Sequence, residues 1–150
     1  MAVPRDNVRE WSIGEKTYQL EASLGTKIVY QNEFFGKLEE PYKGLLEDDI
    51  LQVYRRSRPF EEIDEEVKPN PDYVGNDIEA LLRIAWAMAR AAGSTKRGYD
   101  KFLNDVIHQP AGMFEEASLY DVVIMRLGEG IIFRRPEGQD GAAESDEAEE

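Results

Sequence analysis

The stretch that decides the fold is NDIEALLRIAWAMARAA, residues 76–92. Asn76 is placed to cap the free amides of a helix, and Glu79 stands three residues later, at the capping-box position. Gly93 follows at the point where a left-handed residue commonly ends a helix. Apolar side chains occupy both faces of the stretch, which is typical of a helix packed on several sides. The stretch therefore predicts a central helix over residues 76–92.

The chain before this helix begins with a predicted β-hairpin over residues 8–22. Apolar and polar residues alternate in VREWSI and TYQLEA, and the short segment GEK lies between them. One face of the hairpin carries Trp11, Ile13, Tyr18 and Leu20. Because an isolated two-stranded hairpin is marginally stable in water, this face is expected to pack against helices.

Two helices are predicted between the hairpin and the central helix. The first spans residues 23–36, with Ser23 as its N-cap and Gly36 at its end. The second spans residues 47–56 and stops before Pro59. The apolar residues of the first helix fall on one predicted face, and they are Leu24, Ile28, Phe34, Phe35 and Leu38.

Residues 59–75 are predicted to form a polar linker. They contain an acidic cluster followed by two prolines and a glycine, a composition that favours loops. A loop of this length in a compact domain is often mobile or functional. The acids of the cluster are Glu61, Glu62, Asp64, Glu65 and Glu66.

Two more helices are predicted after the central one, over residues 98–108 and 118–127. A short apolar segment, Ile131-Ile132-Phe133, follows, and it either packs on the body or contacts a partner. Residues 136–150 are rich in acids and lack apolar anchors, which predicts a disordered tail. The fold class is thus mainly α (α+β): a small N-terminal hairpin followed by a compact bundle of about five helices, in one domain over residues 1–135.

The composition excludes several functions. Among 150 residues there is no cysteine and one histidine, so neither a Cys-based metal site nor a multi-histidine site is available within one chain. The formal net charge of -13 disfavours binding to a nucleic-acid backbone. The acids lack EF-hand spacing, and no nucleophile elbow or phosphate-binding loop is present. We therefore expect a non-enzymatic protein with no catalytic residues, metal or cofactor.

Neither a membrane-spanning run nor the apolar core of a signal peptide is present in the sequence, so we expect a cytoplasmic protein that does not associate with membranes. Aromatic residues at helical spacing either form the core or line a binding surface. The candidate protein-binding residues are Phe34, Phe35, Trp86, Ile131, Ile132 and Phe133.

Four short motifs in their order along the chain resemble those of a known family. They are KTYQLE at 16–21, NEFFGK at 32–37, LLRIAWAMAR at 81–90 and YDKFL at 99–103. Together they resemble the tail assembly chaperones of long-tailed bacteriophages and prophages, over roughly residues 10 to 127. Phe35 departs from the family, which often has Glu after Phe, and residues 131–133 have no counterpart in it.

The resemblance implies a small acidic protein that keeps the tape measure protein soluble and recruits tail tube subunits around it. Such a chaperone acts in the cytoplasm of the bacterial host and does not remain in the mature virion. Self-association into a ring or filament stays open.

Two alternatives to the chaperone function also stay open. The first is an acidic adaptor or regulator that mimics nucleic acid; it would carry regularly spaced acids on its folded surface, whereas over half of the net charge lies in residues 137–150. The second is a small enzyme with paired carboxylates of raised pKa in a pocket.

Overall fold

A computed structural model describes residues 7–110, 116–128 and 131 of the chain. The predicted fold class is confirmed, since a two-stranded hairpin is followed by five α-helices. The predicted tail over residues 136–150 lies outside the described residues, and so do Ile132 and Phe133. The elements are β1 (Val8–Ile13), β2 (Lys16–Glu21), α1 (Leu24–Phe34), α2 (Leu46–Arg56), β3 (Phe60–Ile63), β4 (Glu66–Pro69), α3 (Ile78–Ala91), α4 (Tyr99–Ile107), α5 (Glu116–Tyr120) and a π-helical segment (Asp121–Gly128).

The central position predicted for α3 is confirmed. Every residue from 80 to 89 is buried, and the helix packs against β2, α1, α2 and α4. The predicted capping box is wrong by one residue, because Asp77 caps the helix and its side chain accepts a hydrogen bond from the Ala80 N–H at 3.2 Å. A carboxylate satisfies these amides and also interacts favourably with the positive end of the helix dipole. Gly93 has the left-handed conformation predicted for it.

The N-terminal hairpin packs on the helices with its predicted face. Strands β1 and β2 are antiparallel, with Trp11 opposite Tyr18. All four predicted inward residues are buried, and the Tyr18 ring meets Phe102 of α4 edge-on at 5.3 Å. The face predicted from alternation alone therefore joins the core of the helical bundle.

The apolar face predicted for α1 is confirmed only in part, because Phe34 is buried and Leu38 packs against the core, whereas Leu24, Ile28 and Phe35 are exposed. The buried side chains of this helix are Thr26, Tyr30 and Phe34. Leu24 and Ile28 are 69% and 52% exposed, so they point away from the core that they were predicted to join. The rotation of α1 about its axis is set by hydrogen bonds of its buried residues, which are described with the candidate site below.

The prediction of a linker over residues 59–75 is also wrong, because β3 and β4 form a second antiparallel hairpin. Asp64 and Glu65 form its turn, both with positive φ (53° and 68°), the combination that a two-residue type I′ turn requires. Its eight strand residues are exposed except Glu61, which is half-buried. We call residues 60–69 the arm.

The helix predicted over residues 118–127 consists of α5 and the π-helical segment that directly continues it. Leu119, Val123 and Leu127 of this helix are buried. Gly128 lies close to the backbone of this segment, since a Cβ atom there would meet the Val123 carbonyl oxygen at 2.7 Å. Ile131 is partly buried and packs against the core, which is one of the two arrangements expected for it.

Candidate protein-binding surfaces

Two of the predicted partner contacts, Phe34 and Trp86, lie in the core. The Phe34 ring meets Tyr30 at 4.9 Å, Tyr99 at 5.1 Å and Trp86 at 5.8 Å between centroids. The indole N–H of Trp86 donates to the Arg97 carbonyl at 2.9 Å, which holds the connection before α4. These aromatic side chains join α1, α3 and α4, so neither Phe34 nor Trp86 is accessible to a partner.

Phe35, by contrast, is 57% exposed and follows directly after α1. Leu24 and Ile28 lie one turn apart on the outer face of the helix. At 100° per residue, this outer face is roughly 140° around the helix from Tyr30, the centre of the buried face. We call Leu24, Ile28 and Phe35 the α1 stripe. Phe35 is the one residue of the stripe that was among the predicted protein-binding residues.

A buried carboxylate fixes the rotation of α1 and thereby exposes the stripe. Asp49 of α2 is fully buried and accepts hydrogen bonds from the Tyr30 hydroxyl at 2.7 Å and from the backbone N–H groups of Lys43 and Gly44 at 2.8 and 3.0 Å. The Thr26 hydroxyl donates to the Glu21 carbonyl at the start of the helix. Since buried polar groups without partners are costly, these bonds hold the Thr26–Tyr30 face inward.

The Tyr30 hydroxyl is kept protonated by its surroundings. Burial raises its pKa well above the ordinary value, and the neighbouring Asp49 carboxylate raises it further. A protonated hydroxyl is able to donate a hydrogen bond to the Asp49 side chain. The raised pKa of Tyr30 therefore keeps this hydrogen-bond donor in place at neutral pH.

A polar cleft of about 420 Å³ lies between the loop before α2 and the start of α3. The Tyr42 hydroxyl donates to Asp77 at 2.7 Å, and a guanidinium N–H of Arg56 donates to the Tyr42 hydroxyl at 3.2 Å. The Arg83 guanidinium stands over the Tyr42 ring, 5.2 Å from its centroid. Burial, followed by the Asp77 hydrogen bond, raises the pKa of Tyr42 to about 12. Arg56 and Asp77 also form an ion pair at 3.9 Å, so the cluster ties the loop and the end of α2 to α3.

The arm is anchored to the end of α2 through Asn70. The Asn70 side-chain amide donates to the carbonyls of Arg55 and Arg58, each at 2.9 Å, and its oxygen accepts the Asp72 N–H at 3.0 Å. The Asn70 N–H donates to the Pro59 carbonyl at 2.9 Å. The root of the arm is thus fixed while its strands are exposed to solvent.

The chain's one histidine, His108, is exposed. His108 caps the end of α4, where its ring nitrogen Nε2 lies 3.2 Å from Asn104 Oδ1. Within residues 7–110, 116–128 and 131, no three potential metal ligands are grouped. In the same part of the chain, no helix has the length and apolar character needed to cross a membrane.

Comparison with protein-family models, with curated proteins and with solved structures finds no match to this chain.

Proposed function

We propose that this protein is a non-enzymatic chaperone of the tail-assembly type. It binds the tape measure protein in the cytoplasm of the bacterial host, recruits tail tube subunits around it and is absent from the mature virion. The family resemblance of the sequence motifs suggests this function. The observation that carries it is the α1 stripe, a solvent-exposed apolar surface on an otherwise strongly acidic protein.

The α1 stripe suits an amphipathic helix of a partner. Leu24 and Ile28 are spaced by one helical turn, and Phe35 extends the surface past the end of α1. Helices that bind grooves or other helices do so through apolar anchors at this type of spacing. Lys27 and Glu47, which pair at 3.0 Å, form a polar border on the side of α2. An apolar strip with a polar border resembles the anatomy of protein interfaces in general.

The net charge of -13 supports the same function. A chaperone must keep an apolar partner in solution, and like charge on the resulting complexes opposes their aggregation. A long tape measure protein presents many apolar helical turns, so several copies of the chain are expected to line up along it.

The test is co-expression of the full chain with a long helical tape-measure-like protein encoded near it. The soluble fraction of the partner and its co-purification are scored in three co-expressions: with the native chain, with Ile28→Asp and with Ile107→Asp. Ile107 is a matched control, because it is the same residue type on another helix and is 59% exposed, compared with 52% for Ile28. Circular dichroism and thermal unfolding verify that both variants fold.

We expect the native chain and Ile107→Asp to keep the partner soluble and Ile28→Asp to lose co-purification. Removing a central apolar contact and placing a charge there costs roughly 2 kcal/mol or more of binding, about a thirtyfold loss of affinity. Equal behaviour of the two variants would exclude the α1 stripe as the contact. Failure of the native chain to rescue any adjacent tail protein that expresses well would favour an unrelated adaptor.

A further inference from the structure

The backbone of the arm has one free edge. Within the arm, Phe60 lies opposite Pro69 and Ile63 lies opposite Glu66. The same register, continued by one residue, sets Pro59 opposite Asn70. The Asn70 N–H donates to the Pro59 carbonyl, which identifies that pair as hydrogen-bonded. Because hydrogen-bonded and non-hydrogen-bonded pairs alternate in antiparallel sheets, the pairs of residues 61 with 68 and 63 with 66 are hydrogen-bonded as well.

The backbone groups of Phe60 and Glu62 therefore point outward from β3. Together they offer two N–H and two C=O groups along one edge. In the described part of the chain, β3 pairs with β4 alone, and neither residue donates or accepts a backbone hydrogen bond with another loop or turn. Such an edge is a template for an added strand.

The opposite edge of the arm is blunted. The outward-pointing residues of β4 are Val67 and Pro69, and proline has no N–H to donate. Proline on an edge strand is a common means of preventing strand addition. The two edges of the arm are thus not equivalent, and β3 is the one able to accept a further strand.

The side chains beside the free edge specify the chemistry of a partner. One face of the arm carries Phe60 and Val67, which are 55% and 71% exposed, and Phe60 also lines a cleft of about 500 Å³ with Tyr54 and Tyr120. The arm contains five acids and one base in residues 60–69. A strand added to β3 would therefore place apolar side chains beside Phe60 and basic side chains beside the acids.

A second copy of the chain does not meet these requirements. Two β3 strands paired antiparallel through their free edges would bring together two arms that each carry five acids and one base. In the register that sets Phe60 opposite Glu62, Glu61 of one copy would lie opposite Glu61 of the other. Like charges directly opposite one another on paired strands are destabilising. Charge complementarity thus selects a partner of opposite sign.

We propose that the free edge of β3 binds an extended segment of a partner protein in which basic and apolar residues alternate, and that this segment adds to the arm as a third strand. The added strand also stabilises the arm, because a two-stranded hairpin alone is only marginally stable in water and a three-stranded sheet is more stable. This inference does not depend on the proposed function, because it concerns a different surface and a partner of different conformation.

The test uses the full-length chain labelled with ¹⁵N and a capped synthetic heptapeptide of alternating lysine and valine. Hydrogen exchange of the Phe60 and Glu62 amides is followed by NMR as the peptide is added. A second peptide, N-methylated at its valines, keeps the charge and the side chains but lacks the N–H groups that would pair with β3. Since this comparison uses the native chain, it needs no substitution to fold.

Exchange of the Phe60 and Glu62 amides is expected to slow roughly 100-fold when free peptide reaches about 100 times its Kd. The N-methylated peptide is expected to leave both amides unprotected. Equal effects of the two peptides, protection of the Val67 amide instead, or no binding would each overturn the proposal. None of these outcomes bears on the co-expression result, which reports on α1.

A pair of proline variants tests the edge assignment further. Glu62→Pro removes an outward N–H of β3, and Val67→Pro removes an outward N–H of β4, so each leaves the predicted hydrogen bonds within the arm in place. Glu62→Gln controls for the loss of charge. We expect Glu62→Pro to abolish amide protection at Phe60 and Val67→Pro to retain it; the reverse result would overturn the assignment.

Discussion

The hydrogen bond between Tyr30 and Asp49 is expected to contribute a large part of the stability of this domain. Tyr30→Phe removes one hydroxyl and keeps the ring, which packs against Phe34 at 4.9 Å. Both partners are fully buried, and their oxygens lie 2.7 Å apart. A hydrogen bond to a charged group contributes about 1.5–3 kcal/mol, so we expect Tyr30→Phe to lower the free energy of unfolding by about 2 kcal/mol.

The assay is urea denaturation followed by circular dichroism, with thermal unfolding as a second measurement. For a domain of this size, a loss of about 2 kcal/mol corresponds to a fall in Tm of roughly 4–8 °C. Tyr73→Phe is the matched control, because Tyr73 is 49% exposed. The control is expected to change the free energy of unfolding by less than about 0.5 kcal/mol.

A double-mutant cycle with Asp49→Ala isolates the interaction. Once the carboxylate is removed, Tyr30→Phe is expected to cost less than about 0.5 kcal/mol, because the hydroxyl has lost its acceptor. A cost for Tyr30→Phe that matches the control, or one that is the same with and without the Asp49 carboxylate, would refute the role assigned to this bond in orienting α1.

Two further predictions concern the loop before α2 and the buried tyrosines. Gly44→Ala is expected to lower the free energy of unfolding by about 1–3 kcal/mol more than Gly36→Ala, as measured by urea denaturation. Both glycines have positive φ, but a Cβ atom at Gly44 would meet the Phe34 carbonyl oxygen at 2.4 Å, whereas a Cβ atom at Gly36 meets nothing within 4 Å. Equal costs would exclude the close approach. Burial raises the pKa of Tyr42 and of Tyr99 from 10 to about 12, so their contribution to stability is complete below pH 10 and is lost as the pH rises from 10 towards 12. Denaturation at stepped pH, with tyrosinate absorbance recorded in parallel, measures this loss, and the absence of any decline over that range would contradict it.

The elements with strong local periodicity were predictable from the sequence. Alternation placed Trp11 and Leu20 on the buried face of the first hairpin, and the apolar residues of 76–92 indicated a central helix packed on several sides. Both patterns report burial through side-chain spacing within one element. The cap of α3 was predicted at Asn76 and lies at Asp77. Either side chain is able to accept hydrogen bonds from the first amides of the helix, so the sequence does not distinguish them.

The arm was missed because its sequence carries a misleading composition. All five of its acids lie in FEEIDEEV, a run that is typical of a solvated loop. Its turn uses Asp64 and Glu65 in the left-handed region, where glycine or asparagine gives the usual hairpin signal. The apolar residues Phe60, Ile63 and Val67 were the remaining signal, and they are too few to establish an alternation.

The candidate binding surface was the least predictable feature. Phe34, Trp86 and the α1 stripe all have the helical spacing of core residues, so the sequence does not tell which of them faces solvent. That distinction depends on the contact of Tyr30 with Asp49, a residue 19 positions away in the chain.

The sequence therefore determined where the main helices and the first hairpin form, because those signals reside in residues two to four positions apart. The tertiary structure decided which side of α1 is buried and which edge of the arm is open. Both outcomes depend on hydrogen bonds between separate segments, Tyr30 with Asp49 and the backbone of Asn70 with that of Pro59, and a periodic pattern within one element contains no information about such partners.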